Sequence, residues 1–385
     1  MIDFALTAEQ QELVDSVRRF SRRRLAPAYA QREAEGAFHR PTVAQMGSLG
    51  FLGVDLPESF GGLGLDGVTS GLVTEALCAG DMNVGYLSVN ISLCGQILCR
   101  YGRPDVVEPW VREMIAGTAI PSIAITEPTT GSDAGDLVLS ARRDGEEYVL
   151  NGEKTSISMA GQSDFSLVFA RTGSKESRAR GISVFLVPLR GSNVTTTPIR
   201  DHGNRSIGRG SMFFDDVRVP ASHLVGEEGQ GFTAVMQGFD HSRALLALQC
   251  LAVARVSIDE TWQHVTQREA FGKALSTFQG VTFPLAEADT MVTAARLLCL
   301  HTLWLRDQGL PHTTESAMAK WWAPKLAYDA VNTCLLLHGH AGYSQDLPYE
   351  QRMRDLLGLQ IGEGTSQIMK LVVARQRAGR GLVPN

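Results

Sequence analysis

The chain has 385 residues, of which 44% are hydrophobic and 20% charged, and a formal net charge of -5. This composition is typical of a packed globular protein and excludes a disordered chain or a coiled coil. The negative charge gives no electrostatic reason to bind nucleic acid or an anionic membrane surface. At about 150 residues per domain, the length predicts two or three domains.

Glycine is overrepresented and clustered. The chain has 39 glycines, about 10% of its residues against a usual share of about 7%. Such clusters mark places where the backbone turns sharply or approaches a ligand closely.

The sequence also predicts the compartment. The N-terminus, MIDFALTAEQ, has no basic region followed by an apolar one, so we expect no signal peptide. The longest uncharged run, residues 82–99, contains too many polar side chains for a membrane span. The six cysteines show no CxxC pair and no metal-like spacing with histidine. We therefore expect a cytoplasmic protein with reduced thiols and no membrane partner.

Residues 1–120 show helical patterns. Thr7 is a candidate cap for a first helix, in which Leu13, Val17 and Phe20 share one apolar face. Further helices are predicted at 72–77 and 106–115. A glycine-rich loop precedes them at residues 57–64.

Residues 121–230 show strand patterns. Short alternating segments rich in Val, Ile, Thr and Phe lie at 122–126, 147–150, 166–170 and 183–187. Turn signals separate them, and their spacing predicts an antiparallel sandwich or barrel.

Residues 231–385 return to long helices. They are predicted at 232–256, 281–308, 312–338 and 348–361, and the last helix begins at Thr365 or Ser366. The order predicts three domains, at 1–120, 121–230 and 231–385.

Two polar clusters lie at predicted element ends. ITEPTTGSD, residues 125–133, ends a strand and opens a loop whose hydroxyls and backbone N–H groups could hold a polar heterocycle. GEGTSQ, residues 362–367, places a carboxylate between two glycines before a helix start, where free N–H groups bind anions. A plain turn and an acidic residue near a helix cap are the simpler interpretations.

A third cluster is REAFGK, residues 268–273, followed by Phe278 and Gln279. An arginine, an aromatic ring and a Gly-Lys turn could bind a pyrophosphate and a ring system. A solvated helix end with a glycine cap explains the same residues.

In this order, the three clusters resemble the acyl-CoA dehydrogenase family of FAD enzymes. Further similar segments lie at residues 49–64, 214–232, 239–243, 337–343 and 353–355. The resemblance implies an α+β fold with an N-terminal helical domain, a middle β-domain and a C-terminal four-helix bundle. It also implies bound FAD between the β-domain and the bundle, an acyl thioester substrate, and electron-transfer flavoprotein or another acceptor as partner.

The resemblance assigns Glu363 as the catalytic base, which takes the α-proton while the β-hydride passes to flavin N5. Burial in an apolar acyl cavity should raise the pKa of this carboxylate. Some members carry the base at the position of Ser242, and serine cannot fill that role.

The resemblance also implies binding residues. For the cofactor they are Thr126, Ser132, Ser156, Ser158, Arg268, Phe271, Gln279, His338, Gly339, Thr365 and Gln367. Of these, Arg268, Phe271 and Gln279 would reach across a subunit interface, which implies a homotetramer built as a dimer of dimers. For the substrate they are Ser132, Asp240, Arg243, Gly362 and Gly364, with Asp240 and Arg243 at the CoA moiety.

The sequence departs from the common family pattern at three positions. Ser156 replaces a tryptophan beside the flavin, Gly362 replaces a tyrosine before the base, and His340 replaces a glycine. The missing tyrosine predicts a wider cavity and a branched, cyclic or otherwise bulky acyl group, unless neighbours fill the space. His338 and His340 lack a carboxylate at ligand spacing, so we expect no metal site.

Three alternatives stay open at this point. The same desaturation could act on a carrier-protein-bound acyl group in biosynthesis. The fold could instead serve a flavin oxidase or monooxygenase, although such relatives generally lack the base found at Glu363. It could also serve a non-catalytic acyl-CoA binder, although the flavin-binding set is intact.

Overall fold

A computed structural model describes residues 5–379 and 381–383. Residues 1–4 lie outside this description. They belong to the N-terminal segment in which the sequence predicts no signal peptide. The N-terminal helices are α1 (Ala8–Phe20), α2 (Tyr29–Glu35), α3 (Arg40–Ser48), α4 (Gly67–Cys78), α5 (Met82–Tyr101) and α6 (Pro104–Ile115). The predicted cap of α1 is confirmed, because Thr7 Oγ1 accepts a hydrogen bond from Gln10 N at 3.1 Å.

The middle of the chain forms an eight-stranded sheet. Its strands are β1 (Pro121–Ala124), β2 (Ser140–Asp144), β3 (Glu147–Ile157), β4 (Phe165–Arg171), β5 (Ile182–Pro188), β6 (Thr195–Pro198), β7 (Gly210–Pro220) and β8 (Leu224–Val225). The order is β6-β7-β3-β2-β4-β5-β8, with β1 beside β4. The expectation of a wholly antiparallel sheet is wrong, because β1 and β4 pair in parallel. The β2–β3 hairpin intervenes between them in the chain and lets both run in the same direction.

The C-terminal part is helical. It contains α7 (Gly231–Gln267), α8 (Gln279–Asp307), α9 (Thr313–Leu337), α10 (His340–Tyr343), α11 (Tyr349–Gly358) and α12 (Ser366–Ala378), with a small hairpin of β9 (Glu269–Ala270) and β10 (Lys273–Ala274) after α7. Helices α7, α8 and α9 pack against one another, and α12 packs on α9. Among the residues described, no helix combines the length and apolar character needed to cross a membrane.

One buried carboxylate joins all three parts of the chain. Asp355 on α11 is fully buried and accepts hydrogen bonds from Tyr29 Oη at 2.6 Å and Asn83 Nδ2 at 2.9 Å. It also accepts one from the backbone N–H of Asn204, in the loop before β7. Burial raises the pKa of Asp355 to about 6. Asp355 therefore links α2, α5 and the loop before β7 to α11, beside other contacts such as the Arg354–Glu33 ion pair.

We expect Asp355→Ala to lower the free energy of unfolding by roughly 3 kcal/mol, because three buried donors lose their acceptor at once. Thermal unfolding followed by circular dichroism measures the effect. Asp329→Ala is the matched control, because Asp329 is exposed and its carboxylate pairs with Lys325 on the same helix. Equal losses in the two variants would contradict a joining role for Asp355.

Candidate active site

Glu363 lies in a short loop between α11 and α12 with an unusual backbone. The loop begins with turns in which the N–H groups of Gln360, Ile361 and Gly362 bond back to α11. Glu363 then has φ +54° and Gly364 has φ +98°. A non-glycine residue in this left-handed region costs about 1–3 kcal/mol, and such strain concentrates at functional sites. Thr365 ends the loop as the cap of α12, accepting a hydrogen bond from Ile368 N.

Two residues of α7 contact Glu363. Ser242 Oγ donates to Glu363 Oε2 at 2.9 Å, and Arg243 Nε donates to the Glu363 carbonyl at 3.4 Å. Desolvation by burial raises the pKa of Glu363, while Ser242, Lys320 and Arg243 act to lower it. The direction expected from the sequence is confirmed. Sequence reasoning considered Ser242 only as a failed base and missed its role as a donor to the base.

Asp240, one turn earlier on α7, is tied to α9. Its carboxylate accepts from Arg243 Nη1 at 3.0 Å and from Thr313 Oγ1 at 2.5 Å, and its carbonyl accepts from Ser316 Oγ at 2.7 Å. Asp240 also lines a cavity of about 800 Å³ between the end of α5, α7 and the α8–α9 loop. Arg100 and Arg306 line the same cavity, which gives it cationic side chains.

His241 lies between Asp240 and Ser242 but is only 3% exposed. Its Nε2 lies 2.7 Å from Asp55 Oδ2 and 3.2 Å from Ser92 Oγ. Burial lowers the pKa of His241, which favours the neutral imidazole. His241 therefore anchors α7 to the N-terminal helices, a role that its place among polar residues in the sequence did not indicate.

A buried ion pair fixes the loop formed by residues 125–133. Lys154 Nζ donates to Glu127 Oε1 at 2.7 Å and to the Ile125 carbonyl at 2.9 Å. The Glu127 carboxylate also accepts from the N–H groups of Val138 and Leu139. Because these hydrogen bonds satisfy both charges, the pair can remain buried beside Thr126. Sequence analysis gave these two residues no role, although Glu127 lies inside the cluster at residues 125–133.

The residues assigned to FAD near the sheet and near the start of α12 have side chains that fit this cofactor. Thr130 Oγ1, in the loop formed by residues 125–133, is buried and has no hydrogen-bond partner in the protein. Ser132, Ser156 and Gln367 are exposed, whereas Thr126, Ser158 and Thr365 are half-buried. Hydroxyl and amide groups are thus available to a polar ring system.

A second group of assigned residues lies far along α7. Arg268 follows Arg243 by 25 residues, which corresponds to roughly 37 Å of helix. The helix ends at Gln267 with Arg268 as its cap, so the alternative interpretation of a glycine cap is wrong. Phe271 forms the tip of the β9–β10 hairpin and is 96% exposed. Gln279, the first residue of α8, is also exposed. Within one chain, the structure does not bring these residues to Glu363.

His338 and Gly339 lie at the end of α9. The His338 ring stacks on His264 with ring centroids 4.1 Å apart, and its Nε2 lies 3.2 Å from Tyr349 Oη. Gly339 has φ +62° and is exposed. Across residues 5–379 and 381–383, no group of three or more His, Cys, Asp or Glu side chains could hold a metal ion.

Comparisons with known proteins agree with this arrangement. Sequence models of the N-terminal, middle and C-terminal domains of acyl-CoA dehydrogenases match residues 7–118, 122–217 and 229–377. The chain is 34% identical over 378 residues to probable acyl-CoA dehydrogenase YngJ of Bacillus subtilis, covering 97% of this chain and 99% of that protein. It is 35% identical over 371 residues to the mitochondrial short-chain specific acyl-CoA dehydrogenase of Rattus norvegicus, covering 96% and 90%.

Solved structures show the same fold. The butyryl-CoA dehydrogenase of Megasphaera elsdenii superposes with a TM-score of 0.94 at 30% identity, covering 98% of this chain and 100% of that one. The three-part α+β architecture predicted from the sequence is therefore confirmed. With all three domains matched over nearly the full length, the chain belongs to the acyl-CoA dehydrogenase family and is an FAD-dependent oxidoreductase acting on acyl-CoA.

Proposed function

We propose that the protein desaturates the α,β-bond of an acyl-CoA whose acyl group is branched, cyclic or otherwise bulky, with Glu363 as the base. The observation that carries this proposal is a desolvated carboxylate in a strained loop, directly after a residue without a side chain.

The surroundings of Glu363 suit a base for a weakly acidic C–H. Its raised pKa brings it closer to neutrality, where a general base is most effective. Within the described chain, the Glu363 N–H donates to no protein acceptor. It is available to a thioester oxygen, on which negative charge grows as the α-proton leaves. FAD, when bound, supplies the acceptor for the β-hydride.

Gly362 supports a wide acyl cavity. Its φ lies outside the left-handed region, so the backbone does not require glycine there. A Cβ at this position would meet only the Gly358 carbonyl, at an ordinary contact distance of 3.6 Å. The small residue therefore leaves room beside the base that a tyrosine would take.

The cavity at Asp240 supports CoA over a carrier protein as the thioester donor. Beyond the pantetheine arm that it shares with carrier proteins, CoA carries a pyrophosphate and a ribose phosphate. Arg100 and Arg306 bring cationic groups to this cavity, where Arg306 also pairs with Asp307. Asp240 can accept from the amide groups of the arm. Arg243 is 7% exposed, and its guanidinium group donates hydrogen bonds to the Asp240 carboxylate and to the Glu363 carbonyl.

The oligomer and compartment belong to the same proposal. Large apolar side chains are exposed on the C-terminal helices and their connections, namely Phe271, Phe283, Leu336, Tyr343 and Ile361. Such surfaces favour association between copies. A homotetramer would let Arg268, Phe271 and Gln279 of one copy bind FAD in another.

All six cysteines are free thiols, which supports a cytoplasmic location. Electron-transfer flavoprotein or another acceptor would take the electrons from the reduced flavin.

Anaerobic bleaching of the flavin absorbance tests the substrate class. The FAD-loaded enzyme is mixed with linear, branched and cyclic acyl-CoAs, and with the matched carrier-protein thioesters. We expect branched or cyclic acyl-CoAs to bleach the flavin fastest. Glu363→Gln should retain FAD and slow bleaching by a factor of about 10² to 10⁴, since this is the usual contribution of a general base. Fastest bleaching by short linear chains would contradict the bulky substrate, and substantial turnover by Glu363→Gln would contradict the base.

Ser242→Ala should shift the pH profile of flavin reduction. Glu363 must be ionised to take a proton, so the rate falls as the pH drops through its pKa. Removing the Ser242 donor disfavours the ionised form and raises this pKa further, so the acid limb moves to higher pH. Thr266→Ala, an exposed position on the same helix, is the control and should leave the profile unchanged. If the acid limb of the pH profile does not shift in Ser242→Ala, Ser242 does not lower the pKa of Glu363 as proposed.

Phe271→Asp should reduce both the oligomer mass and the FAD content, because it places a charge on the exposed hairpin tip. Light scattering after size exclusion gives the mass, and absorbance gives bound flavin. Leu49→Asp, on an exposed apolar residue of the N-terminal domain, is the control. Unchanged mass and flavin content in Phe271→Asp would rule out the interface.

A further inference from the structure

Lys320 on α9 is a buried cation with no carboxylate partner. It is 1% exposed, and among the described residues no acidic side chain lies within ion-pair distance of its ammonium group. Its Nζ instead donates to the Leu359 carbonyl at 2.7 Å and to the Gly364 carbonyl at 3.2 Å. Burying an ammonium group is costly unless its surroundings compensate for lost water. A reason for its placement must therefore be sought at these two carbonyls.

The two carbonyls enclose the loop of the base. Leu359 directly follows the end of α11, and Gly364 directly precedes Thr365, the cap of α12. Between them, the local turn hydrogen bonds stop at Gly362, and Glu363 takes the left-handed conformation. One ammonium group thus holds both ends of the segment that carries the strained residue.

Lys320 shares a face of α9 with two other polar residues. Thr313, Ser316 and Lys320 are spaced three and four apart, so their side chains lie on one side of the helix. The first two donate to Asp240, and the third donates to the base loop. A single helix face therefore sets the position of Asp240 on α7 relative to Glu363.

The charge of Lys320 also reaches the carboxylate. It favours the ionised form of Glu363, as Arg243 does. Burial lowers the pKa of Lys320 itself to about 8, so the group is mostly charged at neutral pH. The other titratable groups that sense this site are Tyr86 and Cys94 on α5, whose ionisation the Glu363 charge disfavours, and Cys250 on α7.

We propose that Lys320 is a positioning residue, which holds the loop of Glu363 in its reactive conformation and favours the ionised carboxylate. This inference rests on the proposed role of Glu363 as the base. Lys320 does not contact the reacting atoms, so its effect is separable from that of Glu363.

The test compares Lys320→Met, Lys320→Gln and the control Lys325→Met in FAD-loaded enzyme. Lys325 lies on the same helix but is exposed and pairs with Asp329. The readouts are the rate and pH profile of flavin reduction by an acyl-CoA and the hydrogen exchange of the amides at 359–365. We expect Lys320→Met to lose about 10- to 100-fold in rate, since small misplacements of a catalytic group cost this much. Its acid limb should move to higher pH, and its loop amides should exchange faster.

Lys320→Gln separates the effect of the hydrogen bonds to the loop from the effect of the charge. It also replaces Lys320→Met in the test if that variant does not fold. It keeps N–H donors without the charge, so the acid limb should move while loop exchange stays closer to the wild type. A folded variant with a wild-type rate, limb and loop exchange overturns the proposal, even if its melting temperature falls. If the wild type itself fails to bleach with any acyl-CoA, the proposed function fails, and the exchange data still decide whether Lys320 holds the loop.

Discussion

The site depends on removing one carboxylate partly from water while leaving it able to ionise. Desolvation disfavours the ionised form of Glu363, whereas direct pairing with a cation would lower its pKa and weaken it as a base. The structure lies between these limits. Ser242 donates one hydrogen bond to the carboxylate, while Arg243 and Lys320 bond to backbone carbonyls of its loop and act on the charge from a distance. The net result is a raised pKa in a group that remains hydrogen-bonded.

Much of this could be predicted from the sequence. Helical periodicity located the long C-terminal helices, and alternation located four of the eight strands of the sheet, because these elements bury one face or a continuous core. The clusters at residues 125–133, 268–273 and 362–367 carried the family resemblance, and the matched domains confirm it. Thr7 capping α1 and Thr365 capping α12 follow from side-chain chemistry that acts within four residues.

The sequence could not indicate contacts between residues that are distant from each other in the chain. The ion pair of Lys154 with Glu127 and the buried contact of His241 with Asp55 need tertiary packing to bring their partners together. The parallel pairing of β1 with β4 was not predicted for the same reason, since alternating hydrophobicity indicates a strand but not the strand with which it pairs. Sequence analysis gave Lys320 no role, and only the fold shows that this side chain is buried.

The Asp355 junction has a consequence for how a substrate enters. Its carboxylate is shared by α2, α5 and the loop before β7, so a rigid rotation of any one of these parts would leave a buried polar group without a partner. Opening by hinged motion is therefore costly. We expect access to Glu363 to come from smaller movements of side chains and loops around this junction.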